Sequence, residues 1–178
     1  MFFDADNDGD LDLVMTNGFD LPQMTVDAPF ESDVMRFWEN DGSGGMAENA
    51  AGAGFTDTGS GKGLLAFDYD RDGDLDIFLV NNLGGGILYR NDQTTENHWL
   101  RVAVEGGAGF HRDAIGAVVT LQAVEGGPVQ VRHIGASSHF LGESERVAHF
   151  GLGALTGPVH RKRSFQDVVA GMIILPWA

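Results

Sequence analysis

The sequence contains no cysteine, which excludes disulfide frameworks, zinc–thiolate sites and cysteine nucleophiles. That absence does not fix a compartment, because exported proteins can also lack disulfides. Positive charge is scarce: 11 Lys and Arg stand against 26 Asp and Glu, a net charge of −15. A nucleic-acid-backbone binder needs clustered positive charge, so this balance disfavours that class. Long apolar runs are scarce as well. The one candidate, Val168 to Ala178, has eleven residues and contains Gly171 and Pro176; it reaches about half a membrane span. It reads as a buried strand or a loosely held terminus, not as an anchor. Met1-Phe2-Phe3 leads straight into acidic residues with no basic or apolar leader, so a signal peptide of an exported parent is expected upstream of Met1.

What the chain has in abundance is glycine and acid. Glycine accounts for 26 of 178 residues and hydrophobic residues for 43%, a combination that predicts a turn-rich, all-β protein with a packed core. The length allows one mid-sized domain or two small ones. The acidic excess is confined to one half. Residues 1–92 hold 19 acids and 4 bases, whereas residues 93–178 hold 7 of each.

Ten of the 18 aspartates fall in two windows, Asp4-Ala5-Asp6-Asn7-Asp8-Gly9-Asp10-Leu11-Asp12 and Asp68-Tyr69-Asp70-Arg71-Asp72-Gly73-Asp74-Leu75-Asp76. They superpose with an offset of 64 residues, and each runs into an apolar stretch, Leu13-Val14-Met15 and Ile77-Phe78-Leu79-Val80. This is an internal repeat. Its spacing is that of a hard-cation loop: carboxylates at positions 1, 3 and 5 converge, and glycine at 6 permits the sharp turn. Position 7 then offers a backbone carbonyl and position 9 another carboxylate. The candidate ligands are Asp4, Asp6, Asp8, the Asp10 carbonyl and Asp12 in one loop. In the other they are Asp68, Asp70, Asp72, the Asp74 carbonyl and Asp76. An all-oxygen set suits calcium better than magnesium, which retains water and demands strict octahedral geometry. Two Ca2+ sites are expected.

The flanks decide which kind of calcium loop this is. An EF-hand needs a bidentate Glu at position 12 and a helix on each side. Position 12 is Met15 in one loop and Leu79 in the other, and the flanks read as β-branched strands. The loop is therefore expected between two strands.

After the second loop come Asn81-Asn82, a glycine turn and Gly86-Ile87-Leu88-Tyr89-Arg90-Asn91-Asp92. After the first, beyond an insertion from Gly18 to Asp33, comes Met35-Arg36-Phe37-Trp38-Glu39-Asn40-Asp41-Gly42, and Phe55-Thr56-Asp57 reads as a closing strand. These residues resemble the FG-GAP/VCBS repeat, the blade unit of integrin-type propellers. The second half carries Asn97-His98-Trp99-Leu100-Arg101-Val102, Arg112-Asp113-Ala114-Ile115-Gly116-Ala117, Ser137-Ser138-His139-Phe140-Leu141 and His149-Phe150-Gly151-Leu152-Gly153. Those segments resemble the ASPIC/UnbV domain that follows VCBS repeats in bacterial relatives of the cartilage acidic protein family. The resemblance implies a partial β-propeller of about two blades over residues 1–95, then a small β-sandwich-like domain over 96–160. Residues 161–178 form a tail without the family's pattern. Two repeats cannot close a ring, so the resemblance also implies a fragment whose remaining blades belong to a longer parent.

Other motifs give no enzyme. His111-Arg112-Asp113 imitates a kinase loop, but Val118 stands where Asn is required and no nucleotide loop accompanies it. Gly151-Leu152-Gly153 lacks the ribose acid of a dinucleotide site and sits in β surroundings, so its glycines read as turn glycines. The six histidines, all in the second half, lack metal-ligand spacing and read as solvent-facing or satisfied strand residues. In the second half, Leu100, Val102 and Val104 alternate with polar neighbours. Ala117, Val119, Leu121 and Ala123 do the same, and Gly126-Gly127-Pro128 turns the chain into Val129–Ile134.

The resulting expectation is a non-catalytic calcium-binding β-repeat protein, extracellular or periplasmic, with a structural, adhesive or ligand-recognition role toward a protein or glycan. The alternative is a non-catalytic accessory or ligand-binding module of a biosynthetic or degradative enzyme system. No nucleic acid and no membrane span are expected.

Overall fold

The computed structural model describes residues 1–17, 34–135, 140 and 142–156, together with the backbone of 170–175. The insertion at 18–33, Ser137-Ser138-His139, His160 and most of the tail lie outside the described residues. Among the described residues every regular element is a strand, as the glycine content and alternation predict. No helix there is long and apolar enough to cross a membrane.

Each acidic window joins the first two strands of an antiparallel meander. The first sheet has the order β1 (Phe2–Phe3), β2 (Asp12–Met15), β3 (Arg36–Asn40), β4 (Met46–Glu48). The second has the order β5 (Gly61–Phe67), β6 (Asp76–Asn81), β7 (Gly86–Tyr89). The sequence repeat is preserved in the hydrogen-bond register: Phe3 pairs with Asp12, and Phe67, 64 residues on, pairs with Asp76. Alternation along these strands sends Phe3, Val14 and Phe37 of one sheet, and Leu64, Ile77 and Leu79 of the other, into one shared core. The expected closing strand at Phe55–Asp57 is not a strand. β4 closes the first sheet, and Phe55 instead plugs the core edge-on to Phe37 at 5.6 Å and Tyr89 at 4.9 Å. A single large apolar residue between turns can be drawn into the core without any ladder.

The second half forms two small sheets, with orders β11 (Val147–Gly153), β8 (His98–Gly106), β12 (Ala170–Leu175) and β10 (Val129–His133), β9 (Val118–Gln122). Both contribute to a second core of Val102, Val104, Val119, Leu121 and Phe150. β9 and β10 pair across the predicted Gly-Gly-Pro turn. Within the tail, the apolar run read as a buried strand or a loosely held terminus supplies a strand: residues 170–175 pair with the free edge of β8.

A candidate metal centre of paired acidic loops

The local conformation of both loops follows from their sequence. Loop positions 4 and 6 both require positive φ, met by Asn7 (61°) and Gly9 (102°) in the first loop. In the second they are met by Arg71 (65°) and Gly73 (99°). Asparagine tolerates the left-handed region and glycine enters it freely. At Gly73 glycine is doubly required, because a Cβ there would fall 1.7 Å from Trp99 Nε1.

That curl draws three carboxylates together in each loop. Asp4, Asp6 and Asp8 each place one oxygen within 4.8 Å of the other two, and Asp68, Asp70 and Asp72 do the same. Asp12 and Asp76 stand outside these triads. Asp12 Oδ2 accepts the Ala5 amide at 2.8 Å and its Oδ1 the Asn40 amide at 2.9 Å. Asp76 repeats the pattern with the Tyr69 amide at 3.0 Å and the Asn91 amide at 2.9 Å. Each oxygen still has a second lone pair for a cation. The recurring Asn-Asp at the end of the third strand now has a cause. Asn40 Nδ2 donates to Leu11 O and Asn91 Nδ2 to Leu75 O, so each asparagine clips its loop to its own sheet, and Asn91 Nδ2 also donates to Ala5 O of the first loop at 2.7 Å. The Asp10 and Asp74 amides close turns onto Asp8 and Asp72. The Asp74 carboxyl, which is not in the expected ligand set, accepts Asn7 Nδ2 at 2.8 Å.

The first carboxylate of each loop is held from the second half. Asp4 Oδ2 accepts the Gly151 amide at 3.0 Å, with Arg132 3.9 Å away. Asp68 Oδ2 accepts Arg101 Nη1 at 3.2 Å, and Arg101 also pairs with Glu145. His149, buried in β11, meets Asn7 Oδ1 through Nε2 at 2.7 Å; burial, then Arg101 and Arg132, push it down to about 3, so it stays neutral. It is a buried strand histidine bonded through Nε2 alone, because its Nδ1 has no hydrogen-bond partner among the described residues. The expectation of a solvent-facing or fully satisfied histidine therefore does not hold for it. These partners lie far away in sequence and carry no local signal. None of Asn7, Arg101, Arg132, His149 or Gly151 stands out from composition or spacing.

The carboxylates are under-compensated. Burial pushes Asp4 up to about 7, opposed by the Gly151 amide and Arg132 and reinforced by Asp8 and Asp6. Burial raises Asp12 to about 6, and burial followed by Asp72 raises Asp74 to about 6. Asp8, Asp68 and Asp76 are raised, burial again leading. Among the described residues Asp4 Oδ1 and Asp68 Oδ1 are buried with no hydrogen-bond partner. An all-oxygen triad with an unpaired buried carboxylate oxygen fits a hard divalent cation.

A pH dependence follows. These folded-state values lie above those of an unfolded chain, so the cation-free protein is favoured at low pH. It loses that stability as pH rises through about 6 to 7. Thermal unfolding in calcium-free buffer should show a midpoint falling by roughly 5 °C or more between pH 5 and pH 8. A flat or rising midpoint would show that the carboxylates are already compensated.

Comparison with known proteins now adds to the geometry. Residues 107–161 match the family described as ASPIC and UnbV. The second half thus carries an ASPIC/UnbV segment. The chain is also similar to cartilage acidic protein 1 of Mus musculus, 38% identical over 98 residues, covering 53% of this chain and 15% of that protein. For cartilage acidic protein 1 of Xenopus tropicalis the identity is 30% over 154 residues, or 84% of this chain and 22% of that protein. The chain therefore spans about a fifth or less of these relatives. Described residues of the ASPIC/UnbV segment supply Arg132, His149 and Gly151, three groups that hold the first acidic loop.

Proposed function

We propose that this chain is a calcium-binding β-repeat segment of an exported protein, with two successive propeller-type blades locked onto an ASPIC/UnbV segment. One observation carries the reading. Two oxygen triads recur at the same register of two neighbouring sheets, each led by a buried carboxylate with an unpaired oxygen. Asp4, Asp6 and Asp8 would hold one calcium ion and Asp68, Asp70 and Asp72 the other, with Asp12, Asp76 and the Asp10 and Asp74 carbonyls completing the sets. The bound ion supplies charge neutralisation, not catalysis. The shared core and the repeated meander support the FG-GAP/VCBS assignment of residues 1–95.

Affinity bears on location. Extracellular calcium modules bind at about 10⁻⁴–10⁻³ M, too weakly for the cytosol, so the reading places the parent protein outside it. There the rigid blades would present their surface to a protein or glycan. The non-catalytic part of the reading is supported at His111-Arg112-Asp113, where Asp113 is taken up by Arg112 at 2.7 Å and by Arg146.

The second reading, a ligand-binding accessory module, draws on a cleft of about 420 Å³ between the halves, lined by Phe2, Leu11, Leu75, Arg101, Glu145 and His149 among others. Arg101 Nε and His149 Nδ1 are buried there without a partner among the described residues.

Calorimetric titration separates ligands from bystanders. Asp72→Ala should weaken one of two calcium sites by at least about 100-fold, since it deletes a charged ligand in direct contact. Arg71→Ala, exposed at the non-ligand position of the same loop, should change affinity by less than about 3-fold. Equal effects would sink the assignment.

A further inference from the structure

The two acidic loops share one backbone but part at their fourth position. Arg71 is exposed, whereas Asn7, with the same positive φ, is 2% exposed. The Asn7 side chain is spent entirely on other elements. Its Nδ2 donates to Gly73 O at 3.3 Å and to Asp74 Oδ1 at 2.8 Å, both in the second loop. Its Oδ1 meets His149 Nε2 of β11 at 2.7 Å. Because an amide oxygen only accepts, that contact assigns the Nε2–H tautomer to His149. The Asn7 carbonyl accepts the Gly153 amide at 2.8 Å. Asn7 thus lies between two carboxylates of the first triad and grips the two residues that follow Asp72 of the second.

We propose that Asn7 is a positioning residue that couples the two cation sites, so that filling either one pre-orders the other. The proposal rests on the calcium reading above and adds to it. An amide this deeply buried has no water to fall back on. If the second loop leaves its seat, the Asn7 donors are orphaned, and if the first loop loosens, Asp74 and His149 lose their partner. Both loops seated is therefore the self-consistent state. A cation that orders one loop removes part of the ordering cost at the other, which is positive cooperativity, equal in both directions.

The test is calorimetric calcium titration of four chains: wild type, Asp72→Ala, Asn7→Gly and the double variant. Glycine at position 7 accepts the positive φ and deletes only the amide. In the wild-type background, Asp72→Ala should weaken the first site about 5–20-fold although Asp72 is not its ligand. In the Asn7→Gly background the same substitution should shift the first site by less than about 2-fold. A purely structural Asn7 would lower both affinities and leave the effect of Asp72→Ala intact. Asp74→Ala, paired with Asp72→Ala in the same way, removes the shorter of the two Asn7 Nδ2 contacts from the opposite side and keeps Asn7 in place. It carries the test if Asn7→Gly does not fold. Two calcium ions bound with a first site indifferent to Asp72→Ala would overturn the coupling alone. No calcium binding to the wild type would overturn the calcium reading itself.

Discussion

Stripping calcium from the chain is expected to lower its unfolding midpoint by roughly 10 °C at pH 7.5. The magnitude follows from mass action. At about 2 mM free calcium and a dissociation constant of about 0.1 mM, each site stabilises the folded state by about 1.8 kcal/mol. Two sites give about 3.6 kcal/mol, and a chain of this length shifts by about 2–4 °C per kcal/mol. The effect should be largest above pH 7. There Asp4, pushed up to about 7 by burial, is ionised and needs the cation most. Magnesium at the same concentration should restore much less, because it sheds its water reluctantly. Scanning calorimetry with and without chelator measures the shift; a change below about 2 °C would mean that the loops fold equally well empty.

Gly151→Ala is expected to be strongly destabilising although it replaces no ligand. A Cβ at this position would lie 2.4 Å from the Asn7 carbonyl carbon and 2.4 Å from Asp4 Oδ2. The obstruction is backbone, and that backbone is pinned by the Gly151 amide on Asp4 and the Gly153 amide on the Asn7 carbonyl. Neither strand nor loop can yield without breaking these bonds. Overpacking of this kind costs about 2–3 kcal/mol, or roughly 4–12 °C, and should also weaken the first calcium site. Gly85→Ala, with nothing near its Cβ, is the control and should be silent. Equal midpoints for the two variants would show that β11 and the first loop are not in contact.

The legible parts of this protein are those whose physics is local. Convergence of Asp4, Asp6 and Asp8 around Gly9 is a property of nine consecutive residues, so the spacing alone predicts it, and its recurrence at Asp68 fixes the strand register as well. The alternation in β9 and the Gly-Gly-Pro turn likewise predict the β9–β10 pair. The remainder was hidden because its partners are distant. Asn7 reads as a filler between aspartates until Gly73 and Asp74 are brought beside it from 66 and 67 residues away. Gly151 reads as a turn glycine, whereas it is a strand residue kept bare for a loop 147 residues earlier in the chain. Phe55 misleads for the opposite reason: an aromatic before Thr and Asp looks like a strand, but its ring is what the core uses.

Domain organisation is affected by the same contacts. The charge split suggests an acidic half that needs a cation and a neutral half that does not. The structure instead seats both loops on strands of the second half, through Arg101, Arg132, His149 and Gly151. Ordering the loops should therefore be felt across the boundary near residue 96.

Residue-resolved amide hydrogen exchange, with and without calcium, tests this most directly. The Ala5 and Tyr69 amides report the two loops, and the Gly151 and Gly153 amides report the strand beneath the first. Calcium should slow exchange at all four by about tenfold or more, while the β9–β10 amides change little. Unchanged exchange at Ala5 and Tyr69 would contradict calcium binding by the loops. Protection confined to those two, with Gly151 and Gly153 unaffected, would contradict the linkage between the halves.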